Sequence, residues 1–175
     1  MYITRIEVRN IRGFRGAKSV DLELGRRDDG TYAGWTVIAG RNGSGKTSLL
    51  RAVALAVGGP AAARNLVPDF ENWISVGQPD ADVKVHLDYE PSFDEFAGAG
   101  GLPRSPIVAG LSWAQPEVAG SGRQPSLGET GPKTAPRRGP WQDNPTGWFC
   151  AAHGPFRRLA ATGPSWWKAV SGHVV

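Results

Sequence analysis

The sequence predicts an α/β fold: a small mixed sheet with antiparallel outer strands around one central strand, and a principal helix packed on it. Three observations carry this expectation. ITRIEVRNI (Ile3–Ile11), SVDLEL (Ser19–Leu24) and ADVKVHLDYE (Ala81–Glu90) alternate apolar and polar residues, the period of half-buried strands. WTVIAG (Trp35–Gly40) is instead a continuous apolar run, as a strand buried on both faces requires. Between that run and the helical spacing of SLLRAVALAV (Ser48–Val57) lies GRNGSGKT (Gly40–Thr47).

Each element has its own signal. In the first strand Tyr2, Thr4, Ile6 and Val8 are expected on one face, and in the second Val20, Leu22 and Leu24. The two are expected to pair as a hairpin or meander. GRRDDGTYAG (Gly25–Gly34) reads as a loop. The helix is expected to bury Leu50, Val53, Ala54 and Val57, and Gly58, Gly59 and Pro60 to stop it. In the last strand of this part Val83, Val85, Leu87 and Tyr89 face one way, with Lys84 and His86 on a wet face. Residues 1–90 therefore form the patterned part of the chain.

Residues 91–147 differ in kind. Gly and Pro make up about a third of them, a low-complexity level. No period of 2 or 3.6 is sustained, and five basic residues balance five acidic ones. This stretch is expected to be an insertion or linker with little order. Residues 148–175 reopen with WFCAA and HGPFRRLA, read as one more strand and a basic turn before an irregular end. Trp166 and Trp167 there could stack on a base or a partner, though tryptophan pairs more often pack.

The chemistry is concentrated in one loop. Gly40, Gly45, Lys46 and Thr47 fill the spacing G-x-x-x-x-G-K-[ST], with an extra glycine at Gly43. Glycines let backbone N–H groups wrap a phosphate at angles that a Cβ forbids. Lys46 brings a point charge to the outer phosphates, and the Thr47 hydroxyl can ligate Mg²⁺. A helix beginning there adds the positive end of its dipole. Together these residues predict a site for a nucleoside triphosphate with Mg²⁺.

Composition narrows the setting. The chain has 175 residues, 40% of them hydrophobic, enough for one domain with a modest core. No signal-peptide pattern follows Met1, and no apolar stretch nears the ~18 residues of a membrane span. A single cysteine, Cys150, excludes an internal disulfide and fits a reducing cytoplasm; within WFCAA it is expected to be buried. His86, His153 and His173 have no metal-ligand spacing. The net charge of +4 permits nucleic-acid contact without requiring it. Arg5, Arg9, Arg12, Arg15 and Lys18 are opposed only by Glu7 in the first 18 residues. They read either as a solvated strand face or as a basic surface for DNA.

The order ITRIEVRNIRGF, a second strand, VIAGRNGSGKTSLL and then WISVGQPDADVKVHLDY resembles the N-terminal lobe of SMC/RecF-like ATPases. That is the ABC-type class of P-loop NTPases, found in DNA repair, OLD-family nucleases and anti-phage defence. Asn10–Phe14 match the turn after the first strand, and Trp73, Ile74, Gly77, Ala81 and Val83 match a W-I-x-x-G-x-x-x-A-x-V pattern. GPFRR (Gly154–Arg158) is a weaker match, because Ala152 and His153 precede it. The resemblance covers residues 1–90 and implies ATP and Mg²⁺ as cofactors. Asn42, Gly43, Ser44, Gly45, Lys46 and Thr47 would wrap the triphosphate together with Gly40 and Ser48, and Thr47 would be the metal ligand. Arg12 would approach the phosphates or the adenine edge, or be a surface arginine. Gln78 falls in a Gly-Gln-Pro turn, the wrong context for a metal-sensing glutamine.

Hydrolysis in this class also needs a Walker B strand ending in Asp-Glu, and a signature motif. In VKVHLDYE the apolar run is broken by Lys84 and His86, and Tyr follows Asp88. SLGET (Ser126–Thr130) is only superficially like the signature. The chain is thus expected to be an incomplete ATPase, truncated or separately encoded, that needs a protein partner or second copy to turn over ATP. Two other readings stay open. One is a non-enzymatic nucleic-acid or protein interaction module with a vestigial phosphate loop; the other is a lobe too small to fold alone.

Overall fold

Alternation along the strands builds a sheet with one dry and one wet face. The computed structural model describes residues 1–32, 34–67, 69–117, 124–148 and 150–151. Five strands form a single sheet: β1 (Tyr2–Arg9), β2 (Val20–Glu23), β3 (Asp80–Asp88), β4 (Ile107–Ala114) and β5 (Ser126–Glu129). Their order is β2-β1-β3-β4-β5, and every neighbouring pair is antiparallel. Helix α1 (Lys46–Leu66) packs mainly on β3 and β4, and the short α2 (Thr134–Arg138) lies against β4. The result is an α/β chain with an open antiparallel sheet and few helices.

The dry face follows the register. Val85 stands between Ile6 on β1 and Ala109 on β4, and Val83 between Val8 and Leu111. With Ala81, Leu87, Ile107 and Trp113 these side chains are buried beneath α1. Fully burying an aliphatic side chain of this kind stabilises by roughly 1.5–3 kcal/mol. The central strands are therefore the stable heart of the molecule. Trp113 adds ring contacts to Phe70 and Trp73, with centroids 5.5 Å away in each case.

The first two strands pair as the alternation predicts, and β3 buries Val83, Val85 and Leu87 as expected. In β1 the expected face is right from Ile6 onward. A bulge between Ile3 and Arg5 shifts the register, so Ile3 pairs with the core residue Leu87 while Tyr2 is exposed. One extra residue reverses every side chain before it.

Three expectations are corrected. The run Trp35–Gly40 is not a strand: Trp35 is 91% and Val37 86% exposed. Both edges of β1 are taken by β2 and β3, so no central position in the sheet is left for it. A parallel strand of this kind is stable only when flanked and covered. The observed sheet is accordingly antiparallel, not mixed. Next, the helix buries Leu49, Ala52, Leu55, Ala56 and Val57, while Leu50 is 56% exposed. The buried stripe is rotated because α1 lies on β3 and β4 and not on a strand formed by Trp35–Gly40.

The third correction concerns the Gly/Pro-rich stretch. It contains β4, β5 and α2. Its composition hides the eight-residue strand IVAGLSWA, whose alternate residues Ile107, Ala109, Leu111 and Trp113 are all buried. The glycine break in α1 is also put to use. Gly59 has φ +81, ending one helical segment before Pro60 opens the next. The Trp141 ring fills the space beside Gly59, and its indole N–H donates to Ala56 O at 2.8 Å. Trp148 is likewise buried, donating to Glu95 O at 2.7 Å.

Cys150 is exposed rather than packed. Of the run WFCAA, expected to be a strand, the described residues Trp148, Cys150 and Ala151 are not in one; the basic turn expected next, with His153, Trp166, Trp167 and His173, lies outside the described residues.

Candidate functional site

Two glycines shape the GRNGSGKT loop. Gly43 and Gly45 have φ of +79 and +91, conformations that an L side chain resists. Gly45 is the N-cap of α1, so the loop delivers the chain directly into the helix N-terminus. No side chain caps that terminus, and no acidic residue lies in its first turn. Its N–H groups are thus not committed to a side-chain oxygen, and the positive end of the helix dipole faces the loop.

Lys46 completes the local arrangement. Its ammonium donates to Gly40 O at 2.7 Å and Arg41 O at 2.8 Å, which holds positive charge at the loop. Ser44 N–H donates to Arg41 O at 3.2 Å, tightening the turn. Asn42, Gly43, Ser44 and Thr47 are exposed, and Ser48 is half-buried. This combination suits a polyanion: a cation, open backbone donors and a hydroxyl stand within one short segment. The loop residues therefore fit a triphosphate with a metal ion.

The turn after β1 meets this loop. Asn10 and Arg12 have φ of +55 and +50, and the reversal they make points Phe14 at Gly45. Residues 73–76 brace the turn. Arg12 N–H donates to Trp73 O at 2.8 Å, Ser75 N–H to Asn10 O at 2.7 Å, and the Arg15 guanidinium to Val76 O at 2.7 Å. The Arg12 guanidinium lies over the Trp73 ring, 5.4 Å from its centroid, a cation–π contact. The expected turn and loop are thus neighbours, while Arg12 itself is engaged with Trp73.

The basic N-terminal strand is largely neutralised on the wet face of the sheet. Arg5 donates two 2.7 Å hydrogen bonds to Asp21 and holds that carboxyl below its ordinary pKa. Arg9 donates to Asp82 at 2.6 Å, and His86 meets Glu7 at 2.7 Å. These contacts give the solvated-face reading of Arg5 and Arg9 its physical basis. At the other end of β1, Asp88 accepts from Arg26, Tyr32 and Ser105. Burial opposes ionisation of Asp88, but those three donors outweigh it and its pKa falls.

Among the described residues no group of three or more His, Cys, Asp or Glu side chains could hold a metal ion. None of their helices is long and apolar enough to cross a membrane. Phe14 is the contact that sequence spacing did not single out. Its signal was the aromatic residue closing the IRGF turn.

Residues 5–91, just under half of the chain, match the family model of an AAA domain. The matched stretch runs from Arg5 within β1 through β2, the GRNGSGKT loop and α1 to the end of β3. It marks an AAA-type, ATPase-like region, and such a region implies nucleotide binding, generally with a metal ion. No curated protein matches the chain.

Proposed function

We propose that residues 1–90 are the ATP-binding lobe of an SMC/RecF-like, ABC-type ATPase whose hydrolytic cycle needs elements supplied by a protein partner or a second copy. The observation that carries this reading is Lys46, folded onto the loop at the uncapped N-terminus of α1. Gly40 and residues Asn42–Ser48 hold the triphosphate, and the Thr47 hydroxyl ligates Mg²⁺. Arg12, in the turn that touches the loop, supplies a second cation when it leaves Trp73. A bound metal ion neutralises phosphate charge; the chain's own part is to bind and orient the nucleotide.

The exposed side chains of Trp35 and Val37 support the need for a partner. Trp35 and Val37 face solvent beside an open cavity of about 280 Å³ lined by Met1, Ile3, Leu24, Ile38 and Val53. An apolar segment without strand neighbours is an edge that another chain can complete. DNA repair or phage defence is the setting the resemblance implies, with DNA as the partner of the assembled machine. A steep loss of DNA affinity with salt would support that contact.

Calorimetric titration of Mg²⁺-ATP into the whole chain, beside Lys46→Ala, tests the nucleotide reading. We expect micromolar binding, weakened by about 100-fold or more in the variant, since a charge-assisted contact to phosphate is lost. A chain that melts cooperatively yet binds no Mg²⁺-ATP overturns it and favours an interaction module with a vestigial loop.

A further inference from the structure

We infer that Phe14 is a positioning residue of the GRNGSGKT loop, a wedge that transmits the rigidity of the aromatic core to the N-terminus of α1. The inference rests on the nucleotide reading of that loop. A Cβ built on Gly45 would stand 2.7 Å from Phe14 Cζ and 3.3 Å from both Cε atoms. The edge of the ring thus occupies the place where any other residue would put its side chain. Gly45 is required twice over, by its φ of +91 and by Phe14.

The ring can act as a wedge because the backbone behind it is clamped. Phe14 N–H donates to Ile11 O at 2.9 Å, and Ile11 is fully buried and bridged to Ile74. The neighbouring residues 10, 12 and 15 are bonded to residues 73–76, of which Trp73, Ile74 and Ser75 are buried. Trp73 in turn packs on Trp113 of β4. A continuous path therefore runs from the sheet through Trp73 and the 10–15 turn to Phe14 and Gly45.

On its other side the loop has little to hold it. Residues 39–44 are exposed, and within the loop the bonds are Ser44 to Arg41 and Lys46 to Gly40 and Arg41. Converging N–H groups bind an anion well only when their ordering cost is met in advance. Phe14 supplies that ordering at the glycine from which the helix begins.

The test combines hydrogen exchange of the nucleotide-free chain with Mg²⁺-ATP calorimetry on wild type, Phe14→Ala, Phe14→Leu and Phe14→Tyr. In Phe14→Ala, exchange at the Leu49 amide, which α1 bonds back to Gly45 O at 2.9 Å, should quicken about 10-fold while β3 and β4 amides keep their protection. Affinity for Mg²⁺-ATP should fall about 10-fold, and Phe14→Leu should recover most of it. Phe14→Tyr extends the ring from Cζ into Gly45 and should weaken binding even though the core stays folded. Unchanged exchange and affinity in Phe14→Ala overturn the inference. So does quickened exchange throughout β3 and β4, the mark of an ordinary core residue. If wild type itself binds no Mg²⁺-ATP, the nucleotide reading fails, and quickened exchange confined to the first bonded amide of α1, Leu49, still identifies Phe14 as the wedge.

Discussion

Val83, Val85 and Leu87 of β3 are wholly buried between β1, β4 and α1, whereas the equally apolar Trp35 and Val37 stand in solvent. The difference does not come from hydrophobicity. β3 alternates, so one face can be dry while Lys84 and His86 meet Glu7 on the other. It also has a strand on each side. The run before the loop has no alternation and finds no strand partner among the described residues. Apolar character makes burial favourable, but backbone pairing decides whether burial in a sheet can occur. The GRNGSGKT loop inherits this asymmetry: one side rests on Phe14, and the other is open.

Substitutions can break or sharpen the contrast. The largest effect should come from the core itself. Trp113→Ala removes the ring shared by Phe70 and Trp73 and should cost about 3–5 kcal/mol, read from denaturant melts. Preserved stability would mean that the aromatic cluster does not hold α1 to the sheet. Trp141→Ala comes next. It strips the cover from Gly59 and leaves Ala56 O without its indole donor, a loss of about 2 kcal/mol. A smaller loss would mean that the segment carrying Trp141 is draped on α1 without stabilising it.

Asp88 offers a weaker, pH-dependent probe at the end of β3. Its folded pKa is lowered, so its stabilising contribution is present above the unfolded carboxylate pKa of about 3.9 and is lost as acid takes the pH down through the folded value. Asp88→Asn should flatten the acid limb of the melting-temperature profile by less than about 1 kcal/mol. An unchanged profile would remove Asp88 from the acid response. The smallest effect should be Trp35→Ser, within about 0.5 kcal/mol of wild type because nothing among the described residues covers the ring. A substantial loss of stability would show that the run is packed in solution and would erase the contrast.

Much of the architecture was legible one residue at a time. Period-two alternation located β1, β2 and β3 and the core face of β3, because a strand facing water on one side must carry its apolar residues at every second position. Glycine spacing located the loop and the start of α1, since positive φ and an uncapped helix N-terminus leave a local trace in residue type. Composition concealed β4: its strand IVAGLSWA lies among glycines and prolines that dominate any average over residues 91–147. What tertiary structure alone decided were the relations between distant segments. The bulge that turns Tyr2 outward, the rotation of α1 that buries Leu49 and exposes Leu50, and the meeting of Phe14 with Gly45 depend on which neighbour each surface finds. A strand or a glycine loop can be written locally; the neighbour that completes it cannot, because pairing and packing are settled by segments far away in the chain.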